Sequence, residues 1–366
     1  MLRPVEIRPE LIGHPLPWDL YDRSGVLLLA RGAMLVDVAC LARLNARKLY
    51  ARAEDVDGLE VSELLSPFTA LAEASASLRA VFEAGPEEAV TGRVQRIADT
   101  VRAVVATDRD ACLGWIALDR SASYCLRHSL SVALVCELVA SELRLPPVEQ
   151  RSLLCAALTM NVGMHELQDR LALRLGELDP AERAQVAGHP AIGRAWLCAR
   201  GVVDEVWLSA VADHHELLDG RGYPRGLVAS MIALPARLIA LADIYCAKTS
   251  ERFYRPPKLP DAVAREILRG RGTAVDPMLA GILFRLIGAH PPGTLVRLAN
   301  REVAVITHHA PGGQPLVASV LNPKGEPLPQ PAPREASKLA TAIRSFITFD
   351  AAEHRFDLER IWGYAR

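Results

Sequence analysis

The sequence lacks a net charge of either sign. Its 42 lysines and arginines are matched by 43 aspartates and glutamates, so there is no global basic field to hold DNA non-specifically. A compact anion could still be held by a few local arginines. None of the seven cysteines, at 40, 112, 125, 136, 155, 198 and 246, forms a C-x-x-C pair, which argues against a zinc ribbon or a thioredoxin-like site. Most of them lie in apolar stretches and read as small core residues, as suits a reducing compartment. No run reaches the roughly 18 to 20 apolar residues that span a bilayer. The opening Met1-Leu2-Arg3-Pro4-Val5-Glu6 carries no apolar run of the signal-peptide kind. Internal repeats and low-complexity tracts are also missing. These absences predict a cytoplasmic protein with neither DNA nor membrane as a partner.

What is present is apolar material. Half of the 366 residues are hydrophobic and 23% are charged, which excludes a disordered chain and allows two or three domains with a sizeable core. The expected fold class is mainly α: a helical bundle with a small α+β domain before it and a small β-rich extension after it.

Residues 1–57 read as the α+β domain. Asp22-Arg23-Ser24-Gly25 is a turn signal between Leu20-Tyr21 and Val26 to Ala30, which predicts a β-hairpin. Val36 to Leu44 reads as a short helix and Lys48 to Ala51 as a further strand. Residues 58–118 read as linker helices, with apolar stripes at Leu64, Phe68, Leu71, Leu78, Phe82 and at Val94, Ile97, Val101, Val104. They are expected to pack on the next domain or on a second subunit. Residues 119–290 form the helical domain. Residues 291–366 predict strands at Gly293 to Leu298, Glu302 to Thr307 and Leu316 to Leu321. A Pro-rich loop at Pro323 to Pro333 and a final amphipathic helix at Glu335 to Phe346 are expected to follow.

The stretch that organises the helical domain is Asp213-His214-His215-Glu216-Leu217-Leu218-Asp219-Gly220-Arg221-Gly222-Tyr223-Pro224. Adjacent histidines on a helix point about 100° apart, so they do not easily chelate one ion together. They suit two neighbouring ions, or one ion and a substrate phosphate. Gly220 and Gly222 permit a tight turn, and Pro224 stops further helix. Upstream, Asp179, Pro180 and Glu182 form a helix start with a capping box, and the helix reaches Gly188-His189-Pro190-Ala191-Ile192-Gly193. Asp243 is the one acid in the apolar helix Leu234 to Ala247. A lone aspartate there is costly unless paired or bound to metal.

The pattern His-His-Glu-x-x-Asp-Gly-x-Gly-Tyr-Pro resembles the signature of the HD-GYP family, metal-dependent phosphodiesterases that degrade cyclic di-GMP in bacteria. The resemblance covers about residues 119–290 and extends loosely to both ends. It implies that His128, His189, His214, His215 and Asp243 occupy metal-ligand positions. It also implies that Gly220, Gly222, Tyr223, Pro224, Arg252 and Arg255 bind the ligand, the two arginines through phosphate, for which a planar guanidinium is well shaped.

The same resemblance exposes what is missing. The family carries a His-Asp pair followed by Gly-Lys, whereas this chain reads Met160-Asn161-Val162-Gly163-Met164. Asparagine offers one neutral oxygen in place of a bridging carboxylate, and the methionine thioether is a poor ligand for iron, manganese or magnesium. His165 lies close by but is offset by five residues. Tyr124 stands where some members place a glutamate ligand, which argues against a third ion. Cys246 stands where an acid is common. The expected cofactor is therefore one divalent ion, iron, manganese or zinc, or none, and no catalytic residues are expected.

Two readings follow. The first is an inactive signalling module that binds cyclic di-GMP or acts as an interaction surface, through a homodimer or a protein partner in a signalling pathway. The second is an active phosphodiesterase with an altered metal site.

Overall fold

The structure is a computed structural model. It describes residues 2–5, 16, 18–33, 44, 49–52, 66–251, 257–270, 272, 274–310, 313–347 and 355–365. The expected helix Val36 to Leu44 lies almost wholly outside the described residues, as do Arg252 and Arg255.

Four short strands, β1 (Leu2–Val5), β2 (Leu20–Tyr21), β3 (Leu27–Leu29) and β4 (Leu49–Arg52), form an antiparallel sheet in the order β1-β4-β2-β3. The expected hairpin is β2–β3. Asp22 closes its turn by accepting from the Ser24 and Val26 amides, and Gly25 supplies the positive φ of 84° that the turn requires. Leu16, Trp18, Leu20, Leu49 and Ala51 give this sheet a core of its own.

The helical part begins with α1 (Pro67–Phe82), α2 (Thr91–Thr107) and α3 (Arg109–Leu118). Their predicted stripes, from Phe68 through Val101, are buried in one core with the helices that follow. α4 (Tyr124–Glu142) is buried on almost every face from His128 to Ala140, as expected of a helix at the centre of a bundle. Around it lie α5 (Pro147–Thr159), a 3-10 turn (Val162–Met164), α6 (His165–Ala172), α7 (Pro180–Ala199), α8 (Glu205–Asp213), α9 (Leu234–Thr249), α10 (Pro260–Arg269) and α11 (Pro277–Ile287). The capping box predicted for α7 is formed by Asp179 and Glu182. Cys112, Cys125, Cys136, Cys155 and Cys246 are free and buried, and Cys198 is exposed. No helix among the described residues is long and apolar enough to cross a membrane.

The C-terminal part is a five-stranded antiparallel sheet in the order β8-β7-β6-β5-β9, from β5 (Leu295–Leu298), β6 (Val303–His309), β7 (Pro315–Leu321), β8 (Pro327–Glu335) and β9 (Ile343–Ile347). Strand alternation splits its apolar residues between two faces. Val303 and Val305 join the helical core, while Ala304 and Ile306 pack with Val296, Leu298 and Val317 on the other side.

Two expectations fail here. Most of the Pro-rich piece is a strand, β8, and not a loop. As the outermost strand it needs donors on one side only, so prolines are tolerated. The helix expected at Glu335 to Phe346 is instead a 3-10 turn (Leu339–Thr341) and β9. Pairing with β5 lets Ile343 and Phe346 cover the second face of the sheet, a burial that outweighs local helix preference. The terminal helix lies further on, at α12 (Leu358–Trp362).

A buried joint ties the sheet and α12 to the helices. Asp108 caps α3 by accepting from the Ala111 amide at 2.8 Å. Its second oxygen accepts from the Tyr364 hydroxyl at 2.9 Å and lies 3.2 Å from Nε2 of His308 on β6. Burial alone would raise this carboxyl. The hydrogen bond and charge of His308, the Ala111 amide and the Tyr364 hydroxyl outweigh it and hold the carboxyl below the ordinary range. A lowered folded-state pKa means that ionised Asp108 adds stability above about pH 4, and that this stability is lost as pH falls through the folded value. Melting temperature should therefore drop more steeply with acid for wild type than for Asp108→Asn. Parallel acid limbs would show that the joint is not held by this charge.

Candidate functional site

The site forms where α4, α7, the end of α8 and α9 converge. His189 lies inside α7, immediately before Pro190. Proline has no N–H, so the carbonyl four residues back, that of Val186, loses its helical partner. The His189 Nδ1–H takes its place, donating to that oxygen at 2.6 Å. His214 is the C-cap of α8, where the last carbonyls are left free. Its Nδ1–H donates to the Val211 carbonyl at 2.7 Å. A carbonyl only accepts, so both histidines carry their proton on Nδ1, and both Nε2 atoms present lone pairs.

Those two Nε2 atoms face each other at 3.1 Å, and His189 and His214 are fully buried. Two lone pairs at that distance repel unless a cation lies against them. Nδ1 held by a backbone carbonyl is also how metal-ligating histidines are commonly oriented. His215 completes the group: nitrogens of His189, His214 and His215 all lie within 4.8 Å of one another. The sequence expectation that the adjacent histidines diverge is corrected here. His214 is the C-cap of α8 and keeps helical backbone angles, φ −67° and ψ −10°, yet the two rings approach to 4.2 Å between centroids.

Asp243 on α9 adds a carboxylate. One oxygen lies 2.6 Å from Nε2 of His128 on α4, and the other 4.0 Å from Nδ1 of His215. His128 therefore stands as the partner of Asp243, outside the histidine triad. Its Nδ1 is buried and has no hydrogen-bond partner among the described residues. Tyr124 stacks on His128, with ring planes 12° apart.

Burial sets the charge state. It pulls the His189 imidazole down to about 4, helped by the charge of His215, and holds His214 well below the ordinary imidazole range. His215 is lowered by burial too, against the pull of Asp243. The triad is thus neutral near pH 7, the form that ligates metals. For Asp243, burial acts upward, but the His128 hydrogen bond and the charges of His128, His215 and His214 bring the carboxyl well below its usual range. Three neutral nitrogens with a carboxylate alongside fit one divalent ion.

The Gly-x-Gly-Tyr-Pro turn closes one side. At Gly222 a Cβ would sit 2.3 Å from the Leu217 amide nitrogen and 2.6 Å from the His215 carbonyl, so only glycine fits. Gly220 has φ of 77°. Tyr223 is drawn over His215, with centroids 4.6 Å apart. Two acids hold the turn, and their role was not read from the sequence although both stand in the motif. Buried Glu216 accepts from the Arg225 and Leu227 amides at 2.7 and 2.8 Å. Asp213 receives the Arg225 guanidinium on both oxygens, at 2.7 and 2.6 Å.

The replaced motif falls beside the triad. Met160 is fully buried and joins the apolar core. Asn161 is 1% exposed, and its Oδ1 has no partner among the described residues. Gly163 lets the 3-10 turn touch α7, since a Cβ there would lie 2.4 Å from the His189 carbonyl. Asn161 and Met164 line a cavity of about 630 Å³ together with Tyr124, His215, Tyr223 and Asp243. Its remaining wall comes from α6, the turn after it and α7, including Gln168, Arg174 and Arg183. No motif singled out those three residues.

A helical bundle that gathers buried histidines and an aspartate from four helices beneath an open cavity defines a helical domain of metal-site type. The family model for the HD domain matches residues 92–279, and the chain belongs to that family, on its HD-GYP side. It is 30% identical over 216 residues to a cyclic di-GMP phosphodiesterase of Pseudomonas aeruginosa, covering 59% of this chain and 52% of that relative. It is 34% identical over 152 residues to a cyclic di-GMP phosphodiesterase response regulator of Xanthomonas campestris, covering 41% and 40%. A 3'3'-cGAMP-specific phosphodiesterase of Vibrio cholerae is 35% identical over 141 residues, covering 38% and 32%. The chain thus spans about half or less of the length of these relatives. Among solved structures, an HDG"Y"P protein from Bdellovibrio bacteriovorus superposes with a TM-score of 0.53 at 16% identity, covering 78% of this chain and 99% of that one. This likeness is one of fold.

Proposed function

We propose that this protein binds a cyclic dinucleotide, cyclic di-GMP in the first instance, above a single divalent ion and does not hydrolyse it. The ion is iron, manganese or zinc, held by His189, His214 and His215 with Asp243 alongside. The observation that carries the ion is the facing pair of Nε2 lone pairs, 3.1 Å apart, with both tautomers set by backbone carbonyls. When bound, such an ion neutralises phosphate charge and polarises a phosphate oxygen.

The case against turnover rests on the residues beside the triad. Two ions a few ångströms apart need a negative bridge, and Asn161 offers only a neutral amide. Met160 is committed to the core, and Met164 brings no charge to the cavity. His165 donates to the Val162 carbonyl at 3.0 Å and is not among the lining residues. On the ligand side, Tyr223 lines the cavity, which supports a retained binding pocket. The named activities of the relatives make the cyclic dinucleotide the first ligand to try. In this reading the end modules pass occupancy to a protein partner or to a second copy of the chain.

Calorimetric titration of Mn²⁺-loaded protein with cyclic di-GMP, followed by chromatography of the nucleotide, tests this. Binding at micromolar concentration or tighter with intact ligand recovered is the expected result. Conversion to a linear product would overturn the inactive reading. Absence of binding would overturn the receptor reading in favour of a scaffold.

A further inference from the structure

One wall of the cavity carries two arginines, with Glu177 beside them, that no motif marks. Arg174, in the turn after α6, and Arg183, in the first turns of α7, are the arginines or lysines lining it among the described residues. Both guanidiniums are anchored by consecutive carbonyls of one turn. Arg174 donates to the Glu177 carbonyl at 3.3 Å, and Arg183 to the Leu178 carbonyl at 3.0 Å. Each anchor limits where its guanidinium can go before any ligand arrives, and a planar fork suits bidentate contact with phosphate.

Their counter-ions differ. Arg174 is paired with Glu182, itself tied into the capping box of α7. Arg183 lies 3.8 Å from Glu177, and the two side chains are 62% and 94% exposed. A pair so open and so long is weak and well screened. Arg183 can therefore exchange its carboxylate for a phosphate at little cost. The same wall carries Gln168, whose buried Oε1 has no partner among the described residues.

We propose that Arg183, supported by Arg174, holds one phosphodiester of the ligand while the other lies over the histidine–aspartate floor. This rests on the cyclic dinucleotide reading given above and deepens it. A ligand with two separated phosphates spans floor and wall, whereas a mononucleotide reaches only one of them. The wall is thus a determinant of specificity for dinucleotides.

The experiment compares wild type, Arg183→Ala and Arg183→Lys, each loaded with Mn²⁺, by titration with cyclic di-GMP and with GMP. Metal content and melting temperature are read on every sample. For Arg183→Ala, the expected result is about a ten-fold or greater loss of cyclic di-GMP affinity. Affinity for GMP changes little, and metal content stays the same. Arg183→Lys falls between, because it keeps the charge and loses the fork. Wild-type binding with Arg183→Ala within two-fold of it would overturn the arginine wall alone. Failure of wild type to bind cyclic di-GMP would remove the receptor reading and this one with it.

Discussion

Replacing His214 by alanine should strip the protein of its metal. Wild type equilibrated with Mn²⁺ and passed through gel filtration should retain about one ion per chain, and His214→Ala close to none, as read by elemental analysis. The size of the effect follows from the site. His214 is fully buried, its tautomer is set by the Val211 carbonyl, and its Nε2 points at that of His189. Removing one of three nitrogens from so small a set leaves two imidazoles and one carboxylate. Even loss of an outer partner commonly costs 10- to 100-fold in metal affinity, so loss of a ligand should cost at least about 100-fold. A second readout separates metal loss from misfolding. Added metal stabilises the wild type by mass action, about 2.7 kcal/mol at a hundred-fold excess over Kd. His214→Ala should show no metal-dependent rise in melting temperature. Equal stoichiometry in wild type and variant would sink the proposed centre.

The paired substitution Met160→His with Asn161→Asp should change the chemistry. Asn161 sits on the cavity floor with an orphaned oxygen, and a carboxylate there adds the negative bridge a second ion requires. Retained ions should rise from about one to about two per chain, and linear product should appear from a baseline of none. Met160 is buried among apolar residues, so the histidine costs stability, on the order of 1 to 3 kcal/mol, until it finds the metal. Asn161→Asp alone, which spares the core, serves as the companion variant. Comparable turnover before and after the paired substitution would mean that the natural site is already active.

The fold was largely legible where one periodicity served one environment. The stripes of α1 and α2, the capping box of α7 and the lone acid of α9 all read correctly, because a bundle asks of each helix only one apolar face. The C-terminal sheet was less legible. Its outer strands are rich in proline or of mixed polarity, and they become strands only because β7 and β5 offer them edges to pair with. The Asp108–His308–Tyr364 joint was invisible, since its members lie 200 and 256 residues apart along the chain.

At the site the division is finer. The sequence by itself determined which side chains are available: His189 and Asp243 within helices, His214 and His215 at the end of another, a glycine turn that only glycine can make, and no carboxylate at 161. It also carried the reason for the tautomer of His189, because Pro190 frees the Val186 carbonyl. Tertiary structure alone decided that His214 and His215 converge on one point, since it is His189 of α7, packed against the end of α8, that completes the group. It alone set His128 on Asp243 rather than on the triad, and brought Arg174 and Arg183 to the cavity wall. The physical reason is that local hydrogen bonding can orient a side chain, but only the packing of α4, α7, α8 and α9 around a common core brings groups far apart in the chain to within bonding distance.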